Sequence, residues 1–581
     1  MRETMSTWKV KTPHPEAADL AATNGITTLQ AQLLCHRGVS SPSAARAFLH
    51  PRLSNLADPL QMQDMDAAVD HVLWAFRHNR PVTVYGDYDA DGITAAALLF
   101  LFFADLGMTV SAYIPDRFSE GYGLNREAVN RIAGHQGGLL ITVDCGTSDM
   151  QEVERALRRG MKVVVTDHHQ VPTDFTPICP VLNPQRPDCA FPFPELAGVG
   201  VAFCLIVAVR QALRRAGVFH SRPEPDLRPY LDLVAIGTVA DMVPLIEENR
   251  TLVTAGIRMM RATERPGLLA LEELCGVTPS RVSSEDVAFR LAPRLNAAGR
   301  LENASIGFRA LTTPHLSSAR QLAGRLHELN RRRQSLEQGI LEQIEAELPR
   351  PAHLDGKRTI VVHGAQWHPG VLGIVASRLV ARYHRPVLVL DVHDGVARGS
   401  GRSIDGFDLH AALSSFEPLF QRFGGHPRAV GLSLEARHLD RLCEGLEELA
   451  LERLEESELR PVLEADLELP PCRVTRETVR EIRRLGPFGS GNPEPLFLAN
   501  DLKVIESRVV GDRHLKIRAA HNGCTVDAIG FELAEACNIH KGDRVRAIYS
   551  PQIHAWQGVE RLQLKLLAVE PEDGGVGIGK G

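Results

Sequence analysis

Residues 86–92 read Gly-Asp-Tyr-Asp-Ala-Asp-Gly, which places the carboxylates of Asp87, Asp89 and Asp91 at alternate positions. In a still-extended backbone such residues project to one side, ~7 Å apart. Three like charges that close repel unless cations neutralise them. Hard divalent ions such as Mg²⁺ and Mn²⁺ take oxygen ligands of this kind. A calcium loop opens in the same way, but its twelfth position calls for Glu and is Leu98 here, and the residues ahead of the motif form a β-branched run rather than a helix. Further on, Asp144, Asp167-His168-His169 and Asp241 each follow an apolar run. Imidazole suits Mn²⁺ as well as zinc, and an adjacent Asp can fix its tautomer. Two neighbouring histidines on an extended chain face opposite ways, so one is expected on metal and the other on substrate. Singly each has a plain reading: Asp144 as a helix N-cap, the histidine pair as surface, Asp241 as an ordinary helix end. Together they fit a two-metal site, with cations ~3.5–4 Å apart, suited to cutting a phosphodiester.

Short strands must deliver these groups. Runs at 81–85, 138–143 and 162–166 are apolar and β-branched, and the acidic and histidine motifs begin at or just past their ends. They alternate with helix-like segments, the clearest being 93–106, and so predict a parallel α/β sheet with its site beyond the carboxyl ends of the strands. From about 315 to 347, Leu322, Leu326, Leu329, Leu336, Ile340 and Ile344 recur at helical steps, with Arg331, Arg332 and Arg333 on another face and Pro349 and Pro351 as the stop. This reads as one long helix bridging two lobes. A second α/β lobe follows over 355–460, with strands at 359–363 and 386–390, a helix from about 370 to 383, and glycine-rich turns. Short runs at 502–505, 514–517, 525–529 and 544–548 suggest a terminal β-barrel. The division expected is a helical lead-in at 1–65, a catalytic lobe at 66–260, a helical connection at 261–350, the smaller lobe at 351–465, the barrel at 466–572 and a disordered tail at 573–581.

Composition narrows the partners. The formal charge is -6, from 65 basic and 71 acidic residues, so any nucleic-acid surface is a local basic patch. The ten cysteines are scattered and form no Cys-x-x-Cys pair, which argues against a zinc knuckle or ribbon and against a disulfide framework. Free thiols suit a reducing cytoplasm, where the protein is expected. The first twenty residues lack the apolar core of a secretory signal, and the most apolar stretch, 95–104, is about half the ~20 residues of a membrane span. No repeat of solenoid period is visible.

The motifs resemble the DHH phosphoesterase superfamily: Asp89-Ala90-Asp91 is similar to its DxD motif, Asp167-His168-His169 to the motif that names it, and Gly424-Gly425-His426 to the glycine-histidine motif of the associated DHHA1 domain. Longer stretches extend the resemblance, over nearly the whole chain, to the RecJ family of exonucleases. These are Ile114-Pro115-Asp116-Arg117 with Gly121-Tyr122-Gly123, residues 292–300 (APRLNAAGR), 399–403 (GSGRS) and 486–495 (GPFGSGNPEP). The resemblance implies an α/β fold with a parallel-sheet DHH lobe, a long connecting helix, a DHHA1 lobe and an OB-type barrel. It implies two Mn²⁺ or Mg²⁺ ions held by Asp87, Asp89, Asp91, Asp144, His168 and Asp241, with His169 on the scissile phosphate. Arg117, Ser400 and Arg402 would hold a 5′-terminal phosphate, and Arg294, Asn296 and Arg300 would sit along the backbone near the cut. Ser400 and Arg402 are read in a glycine-rich turn. Gly424, Gly425 and His426 would meet a nucleotide, and Tyr122 would stack on a base or pack in the core. Many superfamily members carry a His where this chain has Tyr85; Asp87 is the expected substitute ligand.

The activity implied is a 5′-to-3′ exonuclease that degrades single-stranded DNA to 5′-mononucleotides in recombination and repair. A single-strand-binding protein and a helicase are the implied partners, and a monomer is the expected state. Two other readings compete. A phosphodiesterase of short oligonucleotides or cyclic dinucleotides would use the same first lobes, but the last ~115 residues argue for a longer polymer. A non-catalytic binding module would usually have lost the ligands that this chain keeps.

Overall fold

The computed structural model describes residues 6–134, 137–348, 356–511, 513–534, 537–556 and 559–572. Two compact units emerge: one of residues 43–333 with 485–493, the other of 1–42, 334–484 and 494–581. The stop at Pro349 and Pro351 and the tail at 573–581 lie outside the described residues.

The 43–333 unit is built on a five-stranded parallel sheet. Its strands are Val82–Gly86, Val110–Tyr113, Leu139–Val143, Lys162–Thr166 and Val181–Leu182. In space the second strand lies at the edge beside the first, and the third, fourth and fifth follow on its other side. The strand order therefore reverses between the first and third strands, and in open α/β sheets the ligand crevice forms at such a reversal. Leu139–Val143 is buried at every position, as a strand covered on both faces must be. The helix Ala90–Asp105 is buried throughout its first ten residues, hence apolar all round instead of striped. It packs against two further internal helices, Gly198–Arg215 and Leu231–Ala240.

The extended spacing expected across Asp87, Asp89 and Asp91 does not persist. The strand ends at Gly86, Asp89 is the N-cap of the helix, accepting from the N–H groups of Asp91 (2.9 Å) and Gly92 (3.1 Å), and Asp91 lies within the first helical turn. Capping satisfies donors that an extended chain would not present, so the backbone turns two residues earlier than a strict alternation requires.

The long helix is Leu316–Glu347. Leu326 and Leu329 join the core of the 43–333 unit, whereas Ile340 and Ile344 pack with Trp367 and Val371 in the other unit. That second unit contains a five-stranded mixed sheet. Ile360–Gly364 runs parallel to Val387–His393, then Val396–Arg402, Ala429–Glu435 and Phe420–His426 follow antiparallel. A closed five-stranded barrel comes last, made of Phe497–Val510, His514–His521, Cys524–Gly530, Val559–Pro571 and Arg544–Trp556, the first strand pairing the last to close it. The first 65 residues divide between the units. Thr7–Val10 pairs in parallel with Val462–Ala465, and Lys11 reaches the buried Asp466 at 3.2 Å. No helix among the described residues is long and apolar enough to cross a membrane.

Candidate metal centre

Three neighbouring strands end in an acid at the first residue past the strand. Asp87 follows Gly86, Asp144 follows Val143 and Asp167 follows Thr166, and the sheet register aligns those three strand ends. Asp144 adopts φ 62°, a left-handed turn that redirects the chain while its N–H still bonds the Thr166 carbonyl. Asp91 enters the same pocket from the helix N-terminus, His168 from the loop after Thr166, and Asp241 from the C-terminal end of the Leu231–Ala240 helix.

Ligand atoms converge in three overlapping sets, each within 4.8 Å: Asp87, Asp89 and Asp144; Asp91, His168 and Asp241; and Asp144, His168 and His169. Asp144 joins the sets, since its Oδ1 lies 3.1 Å from His168 Nε2. Apart from such contacts between His168 and the acids, Asp87 Oδ1, Asp144 Oδ1 and His168 Nε2 are buried and make no hydrogen bond. Burying polar atoms without partners costs several kcal/mol, typically ~1–3 kcal/mol each, unless something else coordinates them. The electrostatics agree. Burial, then the Asp89 charge, pushes the Asp87 carboxyl well above the usual range. Burial and the other acids do the same to Asp144. Burial and Asp89 raise Asp91 to about 7, and burial with Asp91 and Asp89 raises Asp241 to about 9. Burial and the charge of His169 depress His168 to about 4, so its imidazole is neutral and free to donate a lone pair near pH 7. Five carboxylates and one neutral imidazole are a hard, oxygen-rich donor set that fits Mn²⁺ or Mg²⁺.

Asp167 does something different. Its oxygens accept from the N–H groups of Thr147 (2.9 Å), His168 (2.7 Å) and His169 (3.1 Å) and from His169 Nδ1 (2.8 Å). Burial works to raise this carboxyl, but the bond and charge of His169 outweigh it and hold it below the usual range. In return His169, despite its burial, is lifted to about 9 by that bond and is a cation near pH 7. Asn183 braces the same loop by donating to the His169 carbonyl at 2.9 Å.

Two glycines absent from the sequence reading shape the pocket. A Cβ at Gly198 would lie 2.8 Å from Asp144 Cβ and 3.0 Å from Asp91 Oδ2, and one at Gly237 would lie 2.6 Å from Asp91 Oδ1. The N–H groups of Gly198 (2.6 Å) and Val199 (3.0 Å) fix the Asp91 carboxylate at a helix N-terminus. Tyr85 is not part of the cluster. Its hydroxyl donates to the Gly123 carbonyl at 2.8 Å and its ring stacks on Tyr113, while Asp87 lies within the acidic set.

Substrate candidates in this unit line up less evenly. The Arg117 guanidinium sits 5.1 Å from the Tyr88 ring centre, and Tyr88 meets Tyr122 edge-on. Tyr122 is exposed, with its hydroxyl 3.2 Å from His169 Nδ1, so it does not pack in the core. Asn296 Oδ1 accepts from the Ala90 N–H at 2.8 Å, beside the acidic motif. Arg300 is four residues on and shares that helical face, and its charge acts on Tyr88. Arg294, two residues before Asn296, points the other way and bonds His327 at 3.2 Å and the Arg290 carbonyl. The structure therefore does not bring Arg294 to the acidic pocket.

The remaining candidates form a separate group on the mixed sheet of the second unit. Ser400 and Arg402 lie on the strand Val396–Arg402, not in a turn. Arg402, Ala429 and His426 pair across three strands, and so do Ser400, Gly431 and Gly424. Directly paired residues share a face, so Ser400, Arg402, Gly424 and His426 belong to one surface. A Cβ at Gly424 or Gly431 would meet nothing within 4 Å, which leaves that surface bare of side chains between Ser400 and His426. Gly425, at φ 145°, faces the opposite side, where a Cβ would strike the Ala429 carbonyl.

Residues 81–238 match the DHH family N-terminal domain, 356–452 the DHHA1 domain and 465–568 the RecJ OB domain. The parallel sheet with its acidic strand ends is thus the core of a DHH-family protein. The chain is 38% identical over 567 residues to the single-stranded-DNA-specific exonuclease RecJ of Escherichia coli, spanning 94% of this chain and 96% of that protein. It is 37% identical over 565 residues to the Bacillus subtilis RecJ, spanning 96% and 70%. The crystal structure of Thermus thermophilus RecJ in complex with Mn²⁺ superposes with a TM-score of 0.83 at 31% identity, covering 99% of this chain and 81% of that one, and its Mg²⁺ complex with 0.77 at 30%, covering 98% and 79%. The chain belongs to the RecJ family.

Proposed function

We propose that the protein is a divalent-metal-dependent exonuclease that degrades single-stranded DNA from a 5′ end, releasing 5′-mononucleotides, in DNA recombination and repair. One observation carries the reading: Asp87 Oδ1, Asp144 Oδ1 and His168 Nε2 are buried together and make no hydrogen bond. Asp87, Asp89 and Asp144 would hold one Mn²⁺ or Mg²⁺, and Asp91, His168 and Asp241 the other, with Asp144 shared. When bound, the ions acidify water and offset the charge that builds up on the phosphodiester.

The protein's own residues do the rest. Asp167 holds His169 as an imidazolium at the mouth of the pocket, where it would donate to a non-bridging oxygen of the scissile phosphate. Tyr122, beside it, would stack on the terminal base. Arg117, Asn296 and Arg300 would position the strand. Arg294 would contact phosphate away from the cut. Ser400 and Arg402 would take a 5′-phosphate, and the bare strip at Gly424, together with Gly425 and His426, would let the sugar-phosphate backbone approach the sheet.

A long polymer is favoured by the barrel, where Arg508 and Lys516 pair directly across strands with Lys503 exposed nearby, and Arg518 lies beside them, paired with Asp527 at 3.0 Å. Glu506 lies 3.8 Å from Arg508 and faces Arg518 across the strands, so this basic group is partly offset by the protein's own acid. We further propose the domain division given above, a monomer in the cytoplasm, and a single-strand-binding protein and a helicase as partners. The test is digestion of 5′- and 3′-labelled single- and double-stranded DNA with and without Mn²⁺. Mononucleotides released only from the 5′ end of single strands, and only with metal, are expected. Turnover restricted to dinucleotides would favour a short-oligonucleotide phosphodiesterase instead.

A further inference from the structure

A second set of ligand atoms lies in the barrel, with a different chemistry. Cys472, His521 and Cys524 each present one ligand atom, all within 4.8 Å of one another. His521 and Cys524 face each other across a hairpin whose two-residue turn, Asn522-Gly523, is left-handed at both positions (φ 44° and 81°). That turn is the tight connection that brings residues three apart in sequence side by side. Cys472 comes from 49 residues before His521, on the single helical turn Pro471–Arg473, which packs against the Cys524–Gly530 strand. No Cys-x-x-Cys spacing marks this cluster, because its second thiol arrives through the fold.

The distances suit a metal. Cys472 Sγ lies 3.8 Å from His521 Nδ1. Ligands bound tetrahedrally to zinc, at ~2.3 Å for sulfur and ~2.0–2.1 Å for nitrogen, stand about 3.6 Å apart. The Cys524 thiol now donates to the His521 carbonyl at 2.9 Å, a proton that an ion would displace. Cys472 is exposed, so a fourth position faces water. Burial and the neighbouring Cys472 raise the Cys524 thiol, the expected result of two sulfurs sharing a site without a cation. Thiolate and imidazole select Zn²⁺ over Mn²⁺ or Mg²⁺, the reverse of the carboxylate pocket.

We propose that Cys472, His521 and Cys524 bind Zn²⁺, with a solvent ligand completing the tetrahedron, and that the ion fastens the Pro471–Arg473 turn to the hairpin tip of the barrel. The test uses the full chain, reduced and stripped of metal, with Mg²⁺ in excess to fill the carboxylate pocket. Co²⁺ is then titrated as the probe. A thiolate-to-cobalt charge-transfer band should appear, saturate at a single equivalent and vanish on adding Zn²⁺. Cys472→Ser and Cys524→Ser should each lose the band while keeping the circular dichroism of the parent, since Cys472 is exposed and either serine fits its site. Zinc should raise the Tm of the parent and not that of either variant. No sulfur band in the reduced parent, or a band that survives both substitutions, overturns the proposal. So does a Cys472–Cys524 disulfide found by peptide mapping in air-oxidised protein whose reduced form takes up no metal.

Discussion

The two sheets of this protein treat charge in opposite ways. In the parallel sheet, three adjacent strands end in Asp87, Asp144 and Asp167, and the acids are buried with Asp91 beside them. In the mixed sheet, the candidate strip has Ser400 and Arg402 half-buried and Gly424 and His426 exposed, and is bare of Cβ atoms at Gly424 and Gly431. The first arrangement is unfavourable alone and becomes favourable with a cation. The second gathers no like charges, and its Ser400 hydroxyl and Arg402 guanidinium, which also donates to the Gly401 carbonyl, have the chemistry to meet an anion. A phosphodiester needs both: metal charge where the bond breaks, and a plain cationic surface where the strand is held. Removal of a carboxylate should therefore help the metal-free fold while destroying activity, and removal of a group from the strip should leave the fold alone and cost only binding.

The largest effect is expected at the shared ligand. Asp144→Asn keeps the shape but removes the charge, and cleavage of labelled single-stranded DNA should fall by about a thousandfold or more, several kcal/mol at ~1.4 kcal/mol per decade. In EDTA the same variant should melt higher than the parent, by roughly 2–4 °C for each ~1 kcal/mol of repulsion relieved. Lower stability in EDTA would show that the acid is structural and break the contrast.

The pH dependence sharpens it. Asp91 and Asp241 titrate at about 7 and about 9 in the fold, against an ordinary carboxyl near ~3.9. Between those values the native protein binds more protons than the unfolded chain, so stability falls as pH rises. The Tm in EDTA should decline from about pH 5 to about pH 9, and saturating Mn²⁺ should flatten or reverse that slope, because the ions take the place of the protons. Scanning fluorimetry at several pH values, with and without Mn²⁺, measures both slopes. A flat profile in EDTA would mean that the acids do not repel as their burial requires.

Much of the candidate metal centre was legible because its cause is local. Apolar runs that stop on Asp or His are strands that end at a sheet edge, and Asp87, Asp144 and Asp167 fall where that logic puts them. The barrel and the long helix were legible from periodicity for the same reason. What escaped has its cause elsewhere in the chain. Gly198 and Gly237 matter only because Asp91 and Asp144 press against them. The outward turn of Arg294 follows from helix phase against Asn296. Gly399 and Gly401 suggested a turn around Ser400, yet a Cβ on them would strike the Val389 carbonyl and the Leu388 and Val430 side chains. They are strand glycines required by close neighbours, a reading available only once the neighbours are known. Cys472 and Cys524 are the same case in the barrel.

A smaller effect belongs to the strip. Arg402→Ala should lower the preference for 5′-phosphorylated over 5′-hydroxyl strands on the order of tenfold, the worth of a charge-assisted contact of ~1.5–3 kcal/mol. Turnover on a 5′-hydroxyl strand should change little. An unchanged preference would remove Arg402 from the end-binding role.

The smallest effect is the most discriminating. Gly431 lies between Ser400 and Gly424 in the sheet register, and a Cβ there meets nothing within 4 Å. Gly431→Ala should therefore fold as well as the parent, and better by up to about 1 kcal/mol, because alanine restricts the unfolded chain. If the strip is bare so that a sugar-phosphate backbone can lie on it, the added methyl stands where the strand runs, and KM for single-stranded DNA should rise a few-fold with kcat nearly unchanged, since the methyl removes binding shared by ground and transition states. Gly198→Ala is the control at the other sheet. There the methyl meets Asp144 and Asp91 at 3.0 Å or less, so the loss should appear in kcat and in the Mn²⁺ concentration needed for activity. Equal KM for Gly431→Ala and the parent would mean that the strip is open to water and not to DNA, and the cationic half of the comparison would then rest on Arg402 alone.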